Sequence, residues 1–427
     1  MSTHRFALVD CNNFFCSCER VFNPRLHKAP IVVLSNNDGC IISRSQEAKN
    51  LGIPMGAPLH EQQEVIQKNR VHVLSSNYTL YGDMSARVMS ILREEVSAVE
   101  VYSIDEAFLE LPEKFDERAA SNLRAKVLRW TGIPVCIGMG TTKLLAKFSN
   151  HYAKKNPCFG GIVELENHPF FNDIMASTRT GDLWGVGKNL ERRLQHLGMT
   201  TVLEFKNANP ASIRKELGVV GERLLRELNG ISCMSLEEMP PARKGVMASR
   251  SFGNSVESLE ELEEALANHV GRASEKIRRF GLLASHLQVS LQTNRFKKEE
   301  PQYAPTIEHA LLTPTASTSQ LMNVARRMLS SIYRSGYRYK KTGIFLGGLV
   351  SEDSFQPSLF DIPVTNPRGD IDKICDAINK KLGDPKNPMI TRASQGTKQS
   401  SKGWKMRSQR RSPRYTTDWR ELPIARI

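Results

Sequence analysis

Short apolar runs and helically spaced apolar positions alternate along the first third of the chain. The run from Arg5 to Asp10 is apolar at Phe6, Ala7, Leu8 and Val9 and ends in an acid, the pattern of a buried strand with Asp10 at its tip. Residues 13–21 space as a helix. A second apolar run, Pro30 to Leu34, meets the turn cluster Asn36-Asn37-Asp38-Gly39. Helical spacing follows from Ser45 to Leu51, with Gly52 where a helix C-cap belongs, and again over 83–97. Residues 99–104 and 107–111 are strand-like, and Asp105-Glu106 lies between them. A helix over 116–130, a strand from Ile133 to Gly138 and a helix from Lys143 to about Lys154 complete an α/β domain ending near residue 168.

Residues 169–240 are helical and short-looped, and Leu183 to Lys188 (Leu-Trp-Gly-Val-Gly-Lys) sits between two helical patterns. Pro240-Pro241 reads as a linker. A second, smaller α+β domain follows, with helices over 257–279 and 318–335 and strands over 285–292 and 342–349. After Val350 the composition becomes Pro/Ser/Asp-rich and then basic. A chain of 427 residues is too long for one core, so about two to four domains are expected.

Charge sharpens this picture. The net charge is +14, and residues 385–427 hold eleven Lys/Arg against two acids, nine of those fourteen charges. The excess is a basic tail, and a nucleic acid is the simplest polyanionic partner. No stretch of about 18 apolar residues occurs, so no transmembrane helix is expected; a membrane surface ranks second to nucleic acid as the polyanion, and no membrane partner is expected. The eight cysteines make no C-x-x-C pair, as in scattered reduced thiols of a cytoplasmic protein.

The acids carry the candidate chemistry. Neighbours in a strand point to opposite faces, so Asp105 and Glu106 reach one site only at a strand end or tight turn. Acids flanked by apolar runs need a cation or a partner. Asp10 is the candidate third carboxylate, and three hard oxygen ligands suit Mg²⁺. Asp116-Glu117, in a polar helix start, shows that the dipeptide alone means little.

Three separated segments resemble the signatures of Y-family DNA polymerases: Asp10 to Glu19, Tyr102 to Phe108, and Gly138 to Lys147. Leu34 to Cys40 and the ending Ser412-Pro413-Arg414-Tyr415-Thr416-Thr417 are similar to the UmuC branch, the catalytic subunits of bacterial DNA polymerase V and their plasmid-borne relatives. The resemblance runs from residue 5 to about 420. It implies a right-hand polymerase, α/β and α+β multidomain, with palm (1–12 and 82–168), fingers (13–81), helical thumb (169–240), little finger (243–350), and a clamp-binding peptide and basic tail (351–427). It implies two Mg²⁺ ions on Asp10, Asp105, Glu106 and the Cys11 carbonyl. Phe15 matches the steric gate, whose ring leaves no room for a 2′-hydroxyl, whereas Phe14 reads as packing. Ser43, Lys49 and Lys154 match the triphosphate-binding positions. Gln46 and Lys49 stand where tyrosine and arginine are frequent, and lysine lacks the bidentate fork of arginine.

Gly185, Gly187 and Lys188 resemble a helix-hairpin-helix element that would bring backbone amides to a DNA phosphate; an ordinary glycine-bearing connection would look the same. Tyr333 to Lys341 interleaves aromatics with Arg334, Arg338 and Lys340, either a duplex-tracking face or a solvated helix end. Gln356, Leu359 and Phe360 resemble a sliding-clamp docking peptide. The resemblance further implies primer-template DNA, deoxynucleoside triphosphates, a UmuD′-like dimer and the RecA filament as partners, at the nucleoid. The expected function is error-prone translesion synthesis in the SOS response to DNA damage, without proofreading. A cyclase-like nucleotidyl enzyme and a non-catalytic factor associated with clamp and RecA are the alternatives.

Overall fold

Every residue from Phe6 to Cys11 is buried, which makes Arg5–Cys11 (β1) a central strand. A strand covered on both faces reads as an unbroken apolar run. In this computed structural model, residues 5–238, 243–355, 367–382, 388–396 and 408–422 are described. After β1 come α1 (Phe14–Phe22), β2 (Ile31–Leu34), β3 (Ile41–Arg44), α2 (Gln46–Asn50), α3 (Gln63–Lys68), β4 (His72–Ser75) and α4 (Tyr78–Glu95). Next are β5 (Val99–Val101), β6 (Glu106–Leu111), α5 (Glu117–Thr131), β7 (Val135–Gly140), α6 (Lys143–Lys155) and β8 (Ile162–Glu164). Four helices follow: α7 (Phe171–Ser177), α8 (Lys188–His196), α9 (Val202–Lys206) and α10 (Pro210–Leu228).

All of these belong to one compact unit, residues 1–240 together with 408–427. Its main sheet has the order β5-β6-β1-β7-β8, with β1 antiparallel to both neighbours. Alternation along β1 divides the core. Ala7, Val9 and Cys11 pack with Phe14, Met84, Val88 and Leu123 from α1, α4 and α5. Phe6 and Leu8 pack on the other face with Phe108 and with Ala146 of α6. A smaller sheet, β3-β2-β4, has β4 at its edge.

Two glycines let α6 lie directly on β7. A Cβ at Gly138 would stand 2.0 Å from the Asn150 amide nitrogen, and one at Gly140 2.8 Å from that of Ala146. The buried Asn150 side-chain amide Nδ2 donates to the Leu8 carbonyl at 3.1 Å and to that of Cys136 at 2.8 Å. These bonds join helix to sheet and satisfy polar groups that burial would otherwise penalise.

The second compact unit, residues 241–407, contains β9 (Gly245–Val256), α11 (Leu259–Arg279), β10 (Leu282–Thr293), β11 (Thr306–Thr315), α12 (Thr318–Ile332), β12 (Tyr339–Ser351) and α13 (Pro367–Leu382). Its antiparallel sheet has the order β11-β10-β12-β9. The apolar pattern did not predict β9 or β11. Both are edge strands; β9 buries only Val246, Phe252 and Val256, and no residue of β11 is fully buried. With so little surface to cover, they lack the apolar alternation that marks a strand.

The residues after 351 are not one trailing tail. In the second unit, α13 docks through Arg278, whose guanidinium donates to Asp376 at 2.7 and 2.9 Å. Asp372, buried, accepts the Thr318 amide at 2.9 Å. Residues 408–422 are instead part of the first unit. Charge counting cannot see this, because these basic residues are paired locally: Arg414 donates to Asp418 and Glu421.

Candidate active site

The register of the central sheet sets Asp10 directly opposite Glu106 across β1 and β6. The Cys11 amide donates to the Asp105 carbonyl at 2.8 Å. The strand-like pattern over 99–104 stops at Val101, because Ser103 folds the chain into a turn. Its hydroxyl accepts the amides of Asp105 at 3.2 Å and Glu106 at 3.0 Å and donates to Asp105 Oδ1 at 2.6 Å. The amides of Tyr102 and Ser103 both donate to the Glu106 carbonyl, at 3.1 and 3.0 Å. A hydroxyl that satisfies two successive amides competes with the strand ladder and favours a tight turn.

Two lysines of α6 face these acids. Lys147 donates to both Glu106 oxygens at 3.0 and 2.9 Å, and the Lys154 ammonium is ion-paired with Asp10. They are seven residues apart, two helical turns, and so share one face of α6. Asp10 is only 6% exposed. Burial pushes its carboxyl up to about 7 against the opposing pull of Lys154, with a hydrogen bond to Glu106 adding to the rise. Burial would raise Glu106 too, but the hydrogen bonds with Asp10 and Lys147 hold it below the usual carboxylate range. A facing acid pair of this kind favours one shared cation, and its hard oxygens suit a divalent ion. The third acid is less converged: Asp105 is held by Ser103, and among the described residues no three Asp, Glu, His or Cys side chains gather closely enough to hold a metal as they stand.

Around the acids lie the other expected residues. Cys11, the last residue of β1, is buried. Phe14 packs in the core, whereas Phe15 is half-buried and stacks on Tyr81 of α4, centroids 4.4 Å apart and planes at 14°. Ser43 is buried on β3 with its Oγ 3.4 Å from Cys16 Sγ. The Lys49 ammonium is held below its ordinary range by partial burial and then by the charges of Arg44 and Lys154, so these cations share one positive field.

Gly185 adopts φ +86°, and a Cβ there would meet Leu224 at 3.0 Å; both features favour glycine. Gly187 is the N-cap of α8, and Lys188 begins that helix. Between Leu183 and Gly185, Trp184 turns back to the acidic turn: its indole N–H donates to the Tyr102 hydroxyl at 3.1 Å. Lys147 lies 4.6 Å from the Tyr102 ring and 5.7 Å from that of Trp184. Lys147 and Tyr81 carry no local signal in the apolar pattern; the seven-residue spacing of Lys147 and Lys154 is what marks the first.

In the second unit the interleaved aromatics are packing groups. Tyr339 is fully buried, and its hydroxyl bonds the backbone of Arg334. Arg334 lies over the Tyr303 ring at 4.6 Å, Arg338 pairs with Glu300 at 3.1 Å, and Lys340 donates to the Gly253 carbonyl at 3.0 Å. Gln356, Leu359 and Phe360 lie outside the described residues.

Models of the impB/mucB/samB family match residues 9–151, and those of its C-terminal domain match 243–359. A domain of unknown function matches 370–425. The chain is 40% identical to the protein UmuC of Salmonella typhimurium, across 98% of this chain and 99% of that one. It is 39% identical to the protein ImpB of the same species, across 99% and 100%. This chain belongs to the impB/mucB/samB family. A solved Y-family DNA polymerase, a Dbh–Dpo4 chimera, shares the fold with a TM-score of 0.64 at 19% identity, covering 81% of this chain and 99% of that one. DNA polymerase IV 2 of Bacillus subtilis is 26% identical over 88% of this chain and 92% of its own length. The family member described here is a UmuC-like, DNA-directed DNA polymerase of SOS translesion synthesis, with a right-hand multidomain fold. Family membership over the full length leaves the non-catalytic alternative without support. DNA and nucleotides are its substrates, and the family works with divalent metal ions. No helix among the described residues is long and apolar enough to cross a membrane.

Proposed function

We propose that Asp10, Asp105 and Glu106 are the catalytic carboxylates of template-directed deoxynucleotidyl transfer, holding two Mg²⁺ ions together with the Cys11 carbonyl. The observation that carries this reading is the register that puts Asp10 opposite Glu106, with Asp105 bonded through its backbone to Cys11. The ions would activate the primer 3′-oxygen and stabilise the leaving pyrophosphate. Asp10 and Glu106 supply facing negative charge at low exposure, where electrostatic interactions are less screened. Lys49 and Lys154, with Ser43, bind the triphosphate; the mutual repulsion of the cations is relieved when a polyanion enters. Phe15 is the steric gate, its ring seated on Tyr81.

Gly185, Gly187 and Lys188 hold a phosphate of the primer-template without reading sequence. Arg334, Arg338 and Lys340 are proposed as backbone contacts of the second unit. Gln356, Leu359 and Phe360 dock on the sliding clamp, and a UmuD′-like dimer and the RecA filament are the further partners, in the cytoplasm at the nucleoid. Similarity to the protein UmuC supports a UmuD-type partner.

Primer extension across an abasic site, with Mg²⁺, the UmuD′-like partner and activated RecA, tests the site. Wild-type chain extends the primer, and Asp105→Ala lowers extension by about a hundred- to a thousandfold, the scale of a lost charge-stabilising group. Equal synthesis by the two would remove Asp105 from the site.

A further inference from the structure

Glu19 is a buried carboxylate that the proposed chemistry does not use. It lies on α1 one turn beyond Phe15, and it is 2% exposed. A buried carboxylate is costly unless it is hydrogen-bonded. Its Oε1 accepts the Tyr81 hydroxyl at 2.6 Å and the Ser412 hydroxyl at 3.0 Å. Tyr81 is the ring on which Phe15 stacks. Residues from the far end of the chain thus reach the underside of the proposed gate.

The contact is one of several. Asn77, just before α4, places its amide nitrogen 3.1 Å from the Ser412 carbonyl, 3.0 Å from the Ser412 hydroxyl and 3.0 Å from the Pro413 carbonyl. Tyr415 stacks on Phe22, the last residue of α1, at 4.7 Å and 11°. The Ser75 amide donates to the Arg410 carbonyl at 3.0 Å, and a parallel bridge joins Ser75 to Arg411 at the edge of β4. The Gln409 amide donates to Asp38 at 3.2 Å. Arg414, bonded to Asp418 and Glu421, shapes the segment from within. Together these bonds tie β4, the start of α4 and the length of α1.

We propose that residues 408–422 are a positioning strap for sugar selection: Ser412 holds Glu19, Glu19 holds Tyr81, and the Tyr81 ring seats Phe15. The strap lies within the span matched by the domain of unknown function. The inference rests on reading Phe15 as the steric gate. Its physical content is preorganisation. A gate excludes a 2′-hydroxyl only while its ring cannot give way, and a displacement of about 1 Å changes reactivity by large factors. Ser412 and Glu19 touch no nucleotide in this scheme; they act through Tyr81.

The test is the ratio of kcat/KM for deoxyribonucleotide over ribonucleotide, measured with the full-length chain in the primer-extension assay above. A general loss of folded enzyme lowers both terms and leaves the ratio alone. Phe15→Ala collapses the ratio if the gate reading holds. Ser412→Ala lowers it roughly tenfold through loss of a hydrogen bond to a buried carboxyl group, and Ser412→Thr, which keeps the hydroxyl, restores it. Tyr81→Phe keeps the stacked ring but removes the bond to Glu19, and it lowers the ratio in the same direction. An unchanged ratio in either Ser412→Ala or Tyr81→Phe, beside a collapsed ratio in Phe15→Ala, overturns the strap and leaves the gate standing. An unchanged ratio in Phe15→Ala removes the gate, and the strap's role falls with it.

Discussion

Asp10 and Glu106 face each other one strand apart, yet their environments push them in opposite directions, Asp10 up to about 7 and Glu106 down. Burial dominates the first, and hydrogen bonds with Asp10 and Lys147 outweigh burial in the second. Local sequence identifies both as acids but cannot separate them. A second buried group illustrates the same physics with a simpler readout. His269 of α11 is 2% exposed, and its Nε2 has no hydrogen-bond partner among the described residues. Burial holds its pKa down to about 4, against 6.5 in an exposed chain. The unfolded state therefore takes up a proton first as pH falls. Stability is fully present above about 6.5 and declines between that value and about 4. Between pH 7 and 5 this one group costs at most about 2 kcal/mol. Urea midpoints at the two pH values check it: His269→Leu should flatten the pH dependence by that amount, and an equal loss in wild type and variant would exonerate His269.

At the scale of elements, the helix that carries Lys147 and Lys154 depends on backbone closeness. Gly138 admits the Asn150 backbone where any Cβ would collide at 2.0 Å. Gly138→Ala should therefore displace α6 from β7, costing about 3 kcal/mol or more in chemical denaturation. Primer extension should fall with it, because both lysines move away from Asp10 and Glu106. A variant as stable as wild type would show that the helix has room to shift. The acidic turn is set by a different device. Ser103 bends the chain after Val101, so the strand-like residues that follow, Tyr102 and Ile104, serve a turn rather than a ladder. The edge strands β9 and β11 mark the other failure of pattern reading, where low burial leaves little periodic signal.

For the whole molecule, nine of fourteen excess positive charges fall in residues 385–427. Counterion release makes the affinity for primer-template DNA fall with salt in proportion to the phosphates neutralised. Replacing Lys398, Lys402 and Lys405 with glutamine should make the plot of log affinity against log salt shallower by up to about 0.9 per lysine. Fluorescence anisotropy over a salt series measures this, and an unchanged slope would take the tail off the DNA. The strap residues are deliberately left intact in that variant, since Arg410 to Tyr415 bond the first unit.

What the sequence determined alone was whatever depends on near neighbours: the buried run ending at Asp10, the helices around it, the acids at 105 and 106, and the motifs that reveal the family. Such features are written within a few residues by burial, spacing and turn chemistry. Only the tertiary structure decided that Asp10 pairs with Glu106, that Lys147 joins the site, and that Ser412 meets Glu19 across 393 residues. The reason is physical. Closing a long loop costs nearly the same for many alternative partners, so the choice among them falls to packing and to the pairing of buried polar groups, which no local window contains.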